Sequence, residues 1–392
     1  MHPELWTIPG IGFHIRAYGF AIAVGFALAL WIAVRRAKRV GADPATITSL
    51  ALIGAIFGII GCRAMHYLHY AWGALRTGQL GVGEAMTAKG GGEIVGGIVL
   101  AVLSAVVYLA VRRKSIGLYL DIVFPPMILA MGIGRIGCLM FGCCWGGVCA
   151  TPAGAAELPW AIRFPYGSPA YMREWSEGQI KVPAVLLWHP PKAERAFPIP
   201  REAFADHDID GNTALERFVL TAEKANAAHH ADPDSAETKR LMEEMKQAAA
   251  ALGRKVDALE VYAVLHLQDL AARGTPMTWS ALRALAAQQH SRYVHPAQLY
   301  DAIACTLIFF VLSAIFWRRR HPGMVVAWGM ILYGINRPLQ EMIRGDNPHD
   351  TFGLTISQFM SLTILAGGIV LALVLVRSKR TVPSPAVRSA ES

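Results

Sequence analysis

The chain has 392 residues, 54% of them hydrophobic and only 17% charged, with a formal net charge of +9. Soluble domains carry about 25% charged residues, so an ordinary soluble enzyme is a poor match. The basic surplus is split into short clusters at the ends of apolar runs, which argues against a nucleic-acid surface and for a membrane.

In chain order, apolar runs fall near 17–34, 45–70, 92–111, 120–141, 297–317, 323–343 and 355–376. Each supplies the roughly 20 residues that a helix needs to cross the hydrocarbon layer. Arg35, Arg36, Lys38 and Arg39 follow the first run, and Arg112, Arg113 and Lys114 follow the third. Arg318, Arg319 and Arg320 follow the fifth, and Arg377, Lys379 and Arg380 follow the seventh. Every odd run thus ends in a basic cluster, so the positive-inside rule predicts seven spans with the N-terminus outside and the C-terminus cytoplasmic. Arginines rather than a small-residue cleavage site follow the first run, which therefore reads as a retained span.

About 150 mostly polar residues separate the fourth and fifth runs, on the outer side in this topology. Pro183 to Pro200 is proline-rich and reads as extended, while 213–229, 233–252, 255–273 and 278–289 show helical spacing. Gly274, Pro276 and Thr278 read as a helix stop followed by a new N-cap. Asp206, Asp208, Asp210 and Gly211 match the start of a calcium loop, but Arg217 stands at the twelfth position and Thr213 at the eighth. An acidic turn before a helix is the favoured reading. The expected fold is all-α: a seven-span core of 1–166 and 293–380, a mainly helical extracytoplasmic insert of 167–292, and a disordered tail of 381–392.

An ionisable residue inside a span costs about 2.5–3.5 kcal/mol and needs a partner or a function. Arg63, Arg135, Arg337 and Glu341 fall toward the outer ends of even-numbered spans, and Asp121 opens the fourth from the cytoplasmic side. Three guanidinium groups at one depth suit a phosphate. Gly132, Gly134 and Gly137 around Arg135 would allow close backbone approach. The competing reading makes Arg337–Glu341 a structural pair, four residues apart on one helix face, and lets Arg63 snorkel.

Four segments carry a resemblance. IRAYGFAIAVGFALALWIAVRRAKRVGADP (15–44), GRIGCLMFGCCWG (134–146), HPAQLYDA (295–302) and YGINRPLQEMIRGD (333–346) resemble, in order, elements of the prolipoprotein diacylglyceryl transferases. The resemblance spans nearly the whole chain except about 167–292. It implies an inner-membrane enzyme that moves the diacylglyceryl group of phosphatidylglycerol onto the lipobox cysteine of a prolipoprotein, releasing glycerol phosphate. It assigns Arg135 and Arg337 to the phosphate and makes Tyr18, Tyr333 and Glu341 supporting polar groups. No cofactor, metal or nucleic-acid partner is expected.

The resemblance fails at one position. Where the family often carries a His before the third span, this chain reads GGEIVGG, with Val95 at that place. Valine accepts no proton, so the base candidates become Glu93, His295 and Glu341, in that order. His295 precedes Pro296, and a structural role for it outweighs a catalytic one. Cys138, Cys143, Cys144 and Cys149 cluster near the signature, where packing is the favoured role, a disulfide the second and a metal the third. Two other readings stay open: a transporter-like protein holding an anionic solute, and an altered homologue that binds anionic lipid without turnover.

Overall fold

The computed structural model describes residues 4–8, 13–68, 94–188, 195–204, 209–344 and 355–378. It divides into two compact units, Val148–His295 and His2–Gly147 with Pro296–Ser392.

The larger unit opens with an antiparallel pair, β1 (Glu4–Ile8) and β2 (Phe13–Arg16), then α1 (Ala17–Arg39), α2 (Pro44–His66), α3 (Ile94–Val111) and α4 (Ile116–Phe141). Local chemistry sets these limits. Asp43 caps α2 by accepting from the Ala45 N–H at 3.0 Å, with Pro44 in the first turn where its missing N–H is harmless. α1 packs on α4, and α2 on α3. The second pair is nearly backbone to backbone. A Cβ on Gly61 would overlap the Gly96 carbonyl, and one on Gly97 would overlap the Cys62 sulfur. Small residues at such crossings are how helices associate in lipid, where apolar burial gives little drive.

After the smaller unit come α10 (Ala297–Arg318), α11 (Met324–Ile343) and α12 (Ile356–Arg377). Their core is apolar, with Ile122, Leu312, Phe316 and Val325 fully buried alongside Ile47 and Leu109 of α2 and α3. The outer faces are apolar too: Ile59 is 69% exposed and Phe310 62%. Exposure on that scale over many neighbouring residues requires a lipid surround. A helix covers each of the seven apolar runs. Among the described residues, five helices (α1, α2, α4, α10 and α12) are long and apolar enough to cross a membrane. α3 has 18 residues, and α11 carries Asn336, Arg337, Gln340 and Glu341 in its last half.

At one end of the unit, the Asp121 carboxylate accepts from the N–H groups of Gly323, Val325 and Val326 at 2.8, 3.0 and 3.1 Å. It also pairs with Arg319 at 2.9 Å. A carboxylate on α4 therefore supplies the N-terminal cap of α11, whose own N-cap residue, Gly323, has no side chain to do so.

The smaller unit contains α5 (Pro169–Ser176), a short pair β3 (Leu187–Trp188) and β4 (Phe197–Pro198), then α6 (Thr213–Ala231), α7 (Ala236–Leu252), α8 (Ala258–Ala272) and α9 (Trp279–Gln288). α6 to α9 match the four helical stretches expected from spacing. Gly274 takes φ +80° after α8, and Thr278 caps α9 by accepting from Ala281 N–H at 3.2 Å. The unit begins at Val148 rather than near 167 because the flanking segments zip together. Cys149 N–H donates to the Tyr293 carbonyl at 2.7 Å, and Ile162 and Val294 exchange backbone bonds of 3.1 and 2.9 Å. Tyr171, Leu186, Leu215 and Leu282 fill its core. Asp206 and Asp208 of the proposed calcium loop lie outside the described residues. Asp210 accepts from the N–H groups of Trp279 and Ser280 at 2.6 and 2.8 Å, which makes it a second N-terminal anchor for α9.

Candidate active site

The polar halves of α4, α10 and α11 meet in the larger unit. Arg135, in the last two turns of α4, pairs through Nε with Asp301 of α10 at 2.7 Å. The other Asp301 oxygen accepts from Asn336 Nδ2 at 3.2 Å. Arg337 of α11 pairs with Glu341 at 3.0 Å and donates from Nε to Ser357 of α12 at 2.8 Å. Asp301 and Glu341 are each 5% exposed, so each guanidinium is fixed by a buried carboxylate. Tyr333 stands within electrostatic reach of Arg135, Arg337 and Asp301, and Tyr18 of α1 within reach of Arg135.

Of these groups Arg135, Asp301 and Arg337 line a cavity of about 10 Å³, together with Cys144, Gln298, Gln340 and Arg344. That is room for about one water, so a phosphate enters only as the walls part. Gln298 donates from Nε2 to the Cys143 carbonyl at 2.7 Å, but among the described residues its Oε1 is buried without a partner, as is that of Gln340. Among the described residues, three guanidinium groups and the Asp301 carboxylate line the cavity, and Glu341 holds Arg337 beside it.

The three arginines differ from those the sequence grouped. Arg63 is exposed on α2 and does not line the cavity; Arg344, at the end of α11, takes the third position. Depth alone put Arg63 with the others, but α2 packs on α3 rather than against α10 or α11. Arg344 lies just past the apolar run, so cost inside a span did not reveal it. Asp301 is legible in the sequence as an acid one turn into the fifth apolar run.

The signature glycines divide by role. A Cβ on Gly132 would meet Cys305 at 3.1 Å, and one on Gly137 would meet Ala21 at 2.9 Å and Tyr18 at 3.2 Å. These two admit neighbouring helices, and Gly137 seats Tyr18. Gly134 has nothing within 4 Å of a Cβ position and faces open space. Among the base candidates, Glu93 lies outside the described residues. His295 adjoins Pro296, the N-cap of α10, and is not a lining residue. Glu341 is committed to Arg337. Val95 sits in the first turn of α3.

The chain turns sharply beyond α4. Gly142 takes φ +86° as a left-handed cap, its N–H and that of Cys143 returning to the Cys138 carbonyl at 2.9 and 3.1 Å. Cys144 is left-handed as well, at φ +60°. Gly147 N–H then donates to the Ile343 carbonyl at 2.7 Å, which holds the turn against the end of α11.

The model of the prolipoprotein diacylglyceryl transferase family matches residues 3–374. A phosphatidylglycerol–prolipoprotein diacylglyceryl transferase of Rhodopirellula baltica is 25% identical over 387 residues, covering 92% of this chain and 72% of that protein. One of Clostridium tetani is 28% identical over 199 residues, half of this chain and 77% of that protein. With a match that runs from the first strand to the last helix, the chain belongs to the prolipoprotein diacylglyceryl transferase family.

Proposed function

We propose that this protein transfers the diacylglyceryl group of phosphatidylglycerol to the cysteine thiol of a prolipoprotein lipobox, forming a thioether and releasing glycerol phosphate. The carrying observation is the convergence of Arg135, Arg337 and Arg344 on one cavity, a set of planar donors suited to a phosphate. As the carbon–oxygen bond breaks, negative charge grows on the leaving phosphate. Guanidinium forks already fixed by Asp301 and Glu341 stabilise that charge without reorganising. Tyr18 and Tyr333, close to Arg135, serve as supporting hydrogen-bond donors.

The chain crosses the bacterial inner membrane seven times, α3 and α11 included, with its N-terminus outside. The basic clusters after α1, α3, α10 and α12 support this orientation. The apolar flanks of α11 support its crossing, since its polar residues turn toward α10 and α12 rather than toward lipid. In this orientation the arginine cavity faces the outer leaflet, on the side where lipoprotein precursors emerge. The unit of Val148–His295 is extracytoplasmic in this topology.

The test is incubation of the purified protein in phosphatidylglycerol micelles with a lipobox peptide, followed by peptide mass. A gain of one diacylglyceryl group that vanishes in Arg135→Ala is expected. Lipid binding without any mass gain would contradict the proposal.

A further inference from the structure

The sulfurs of Cys138, Cys143 and Cys144 all lie within 4.8 Å of one another. The helix end brings them together: left-handed Gly142 reverses the chain so that Cys143 and Cys144 pass back over the last turn, where Cys138 points. A zinc ion with sulfurs at about 2.3 Å holds them roughly 3.8 Å apart, a separation this trio reaches with small side-chain shifts. Packing alone does not account for the turn. Cys144 holds φ +60°, where a residue with a Cβ is disfavoured by about 1–2 kcal/mol and glycine would be free. A disulfide between any two of the three would leave the third thiol pressed against it.

Cys144 also lines the arginine cavity. Through Cys144 the cluster borders the space where the acceptor thiol must meet the phospholipid. The same chain carries Val95 at the entry to α3, a side chain unable to take a proton.

We propose that Cys138, Cys143 and Cys144 hold a soft divalent cation of the zinc class, whose fourth position opens on the cavity and takes the acceptor cysteine as a thiolate. The inference rests on the transfer reaction proposed above. Zinc sites with three protein ligands keep such a position, and a thiol bound there is deprotonated outright. The acceptor thiol releases its proton to water on binding. Its sulfur attacks the glyceryl carbon bearing the phosphate, and the carbon–oxygen bond breaks. The electron pair leaves with glycerol phosphate against the arginines, and the neutral thioether dissociates.

The purified, reduced, full-length protein is loaded with zinc or cobalt(II) and its metal content and thiolate-to-cobalt absorption are measured. One ion per chain is expected, lost in Cys144→Ser and in Cys138→Ala. The absorption should grow when a cysteine peptide is added and not when its serine counterpart is. Chelation of the unmutated protein should slow transfer roughly 100-fold, the scale of losing a proton acceptor, and zinc should restore it. Free thiols without stoichiometric metal, or a protein two hydrogens lighter by mass, overturn the site. Full transfer by stripped protein overturns its role while leaving the transfer reaction standing. Metal and peptide binding without transfer leaves the site standing and overturns the reaction.

Discussion

Arg135 and Arg337 are held in different ways, and their substitutions should differ accordingly. Arg135 meets a carboxylate from another helix, Asp301, whereas Arg337 meets Glu341 on its own helix and Ser357 on the next. Arg135→Lys keeps the charge but loses the planar fork. We expect it to retain more kcat/KM than Arg135→Ala, which should fall by about 10²–10³; equal losses in the two variants would mean that the fork rather than the charge carries the effect. Asp210 gives a prediction outside the spans. Burial opposes its ionisation, but bonds from the Ser280 side chain and from the N–H groups of Ser280 and Trp279 hold its carboxyl below the usual range. A carboxyl lowered on folding stabilises the fold above its unfolded value of about 3.9. That contribution is lost as pH falls through the folded value. Near-UV circular dichroism from Trp279 should therefore weaken below about pH 4, with the acid-dependent part absent in Asp210→Asn. At this scale the sequence exposed Arg135, Arg337 and Glu341, because a charge inside an apolar run is conspicuous. It hid Arg344 and the two glutamines, which become a site only when α10 and α11 pack side by side.

The helices depend on a few long-range anchors. Asp121 is completely buried and satisfies three N–H groups of α11 as well as Arg319. Asp121→Asn leaves Arg319 buried without its counter-charge and should destabilise the protein by about 3–5 kcal/mol. A clear drop in unfolding midpoint in detergent is expected; an unchanged midpoint would mean that another group caps α11. Gly96→Leu should separate α2 from α3, because a Cβ there already overlaps Met65 and the Gly61 carbonyl. Loss of folded yield, with Gly54→Leu tolerated as a control where no atom lies within 4 Å, would bear this out. Helix positions were legible from apolar runs and caps, since Asp43–Pro44 and Thr278 announce their helices by residue type. The Asp121 anchor joins residues more than 200 apart, and no local pattern reveals such a pair. Nor did composition reveal that 148–166 joins the smaller unit, because that union is made by backbone bonds.

The whole molecule combines a lipid-facing helical unit with a polar unit inserted between α4 and α10. The helical unit brings Arg135, Arg337, Arg344 and Cys144 to one small cavity. Fold class followed from the sequence because burying apolar helices in lipid is a strong constraint. The crossing count is harder to read: α11 gives up hydropathy to carry the arginine cavity, so the helix with the most chemistry shows the weakest membrane signal. The most direct measurement of the central claim follows both products at once. Phosphatidylglycerol labelled in its free glycerol headgroup is incubated with the protein and a lipobox peptide, and labelled glycerol phosphate is counted against modified cysteine. The account predicts one labelled glycerol phosphate for every thioether formed, with both products absent in Arg337→Ala. Release of labelled glycerol without phosphate, or of glycerol phosphate without modified peptide, would contradict it.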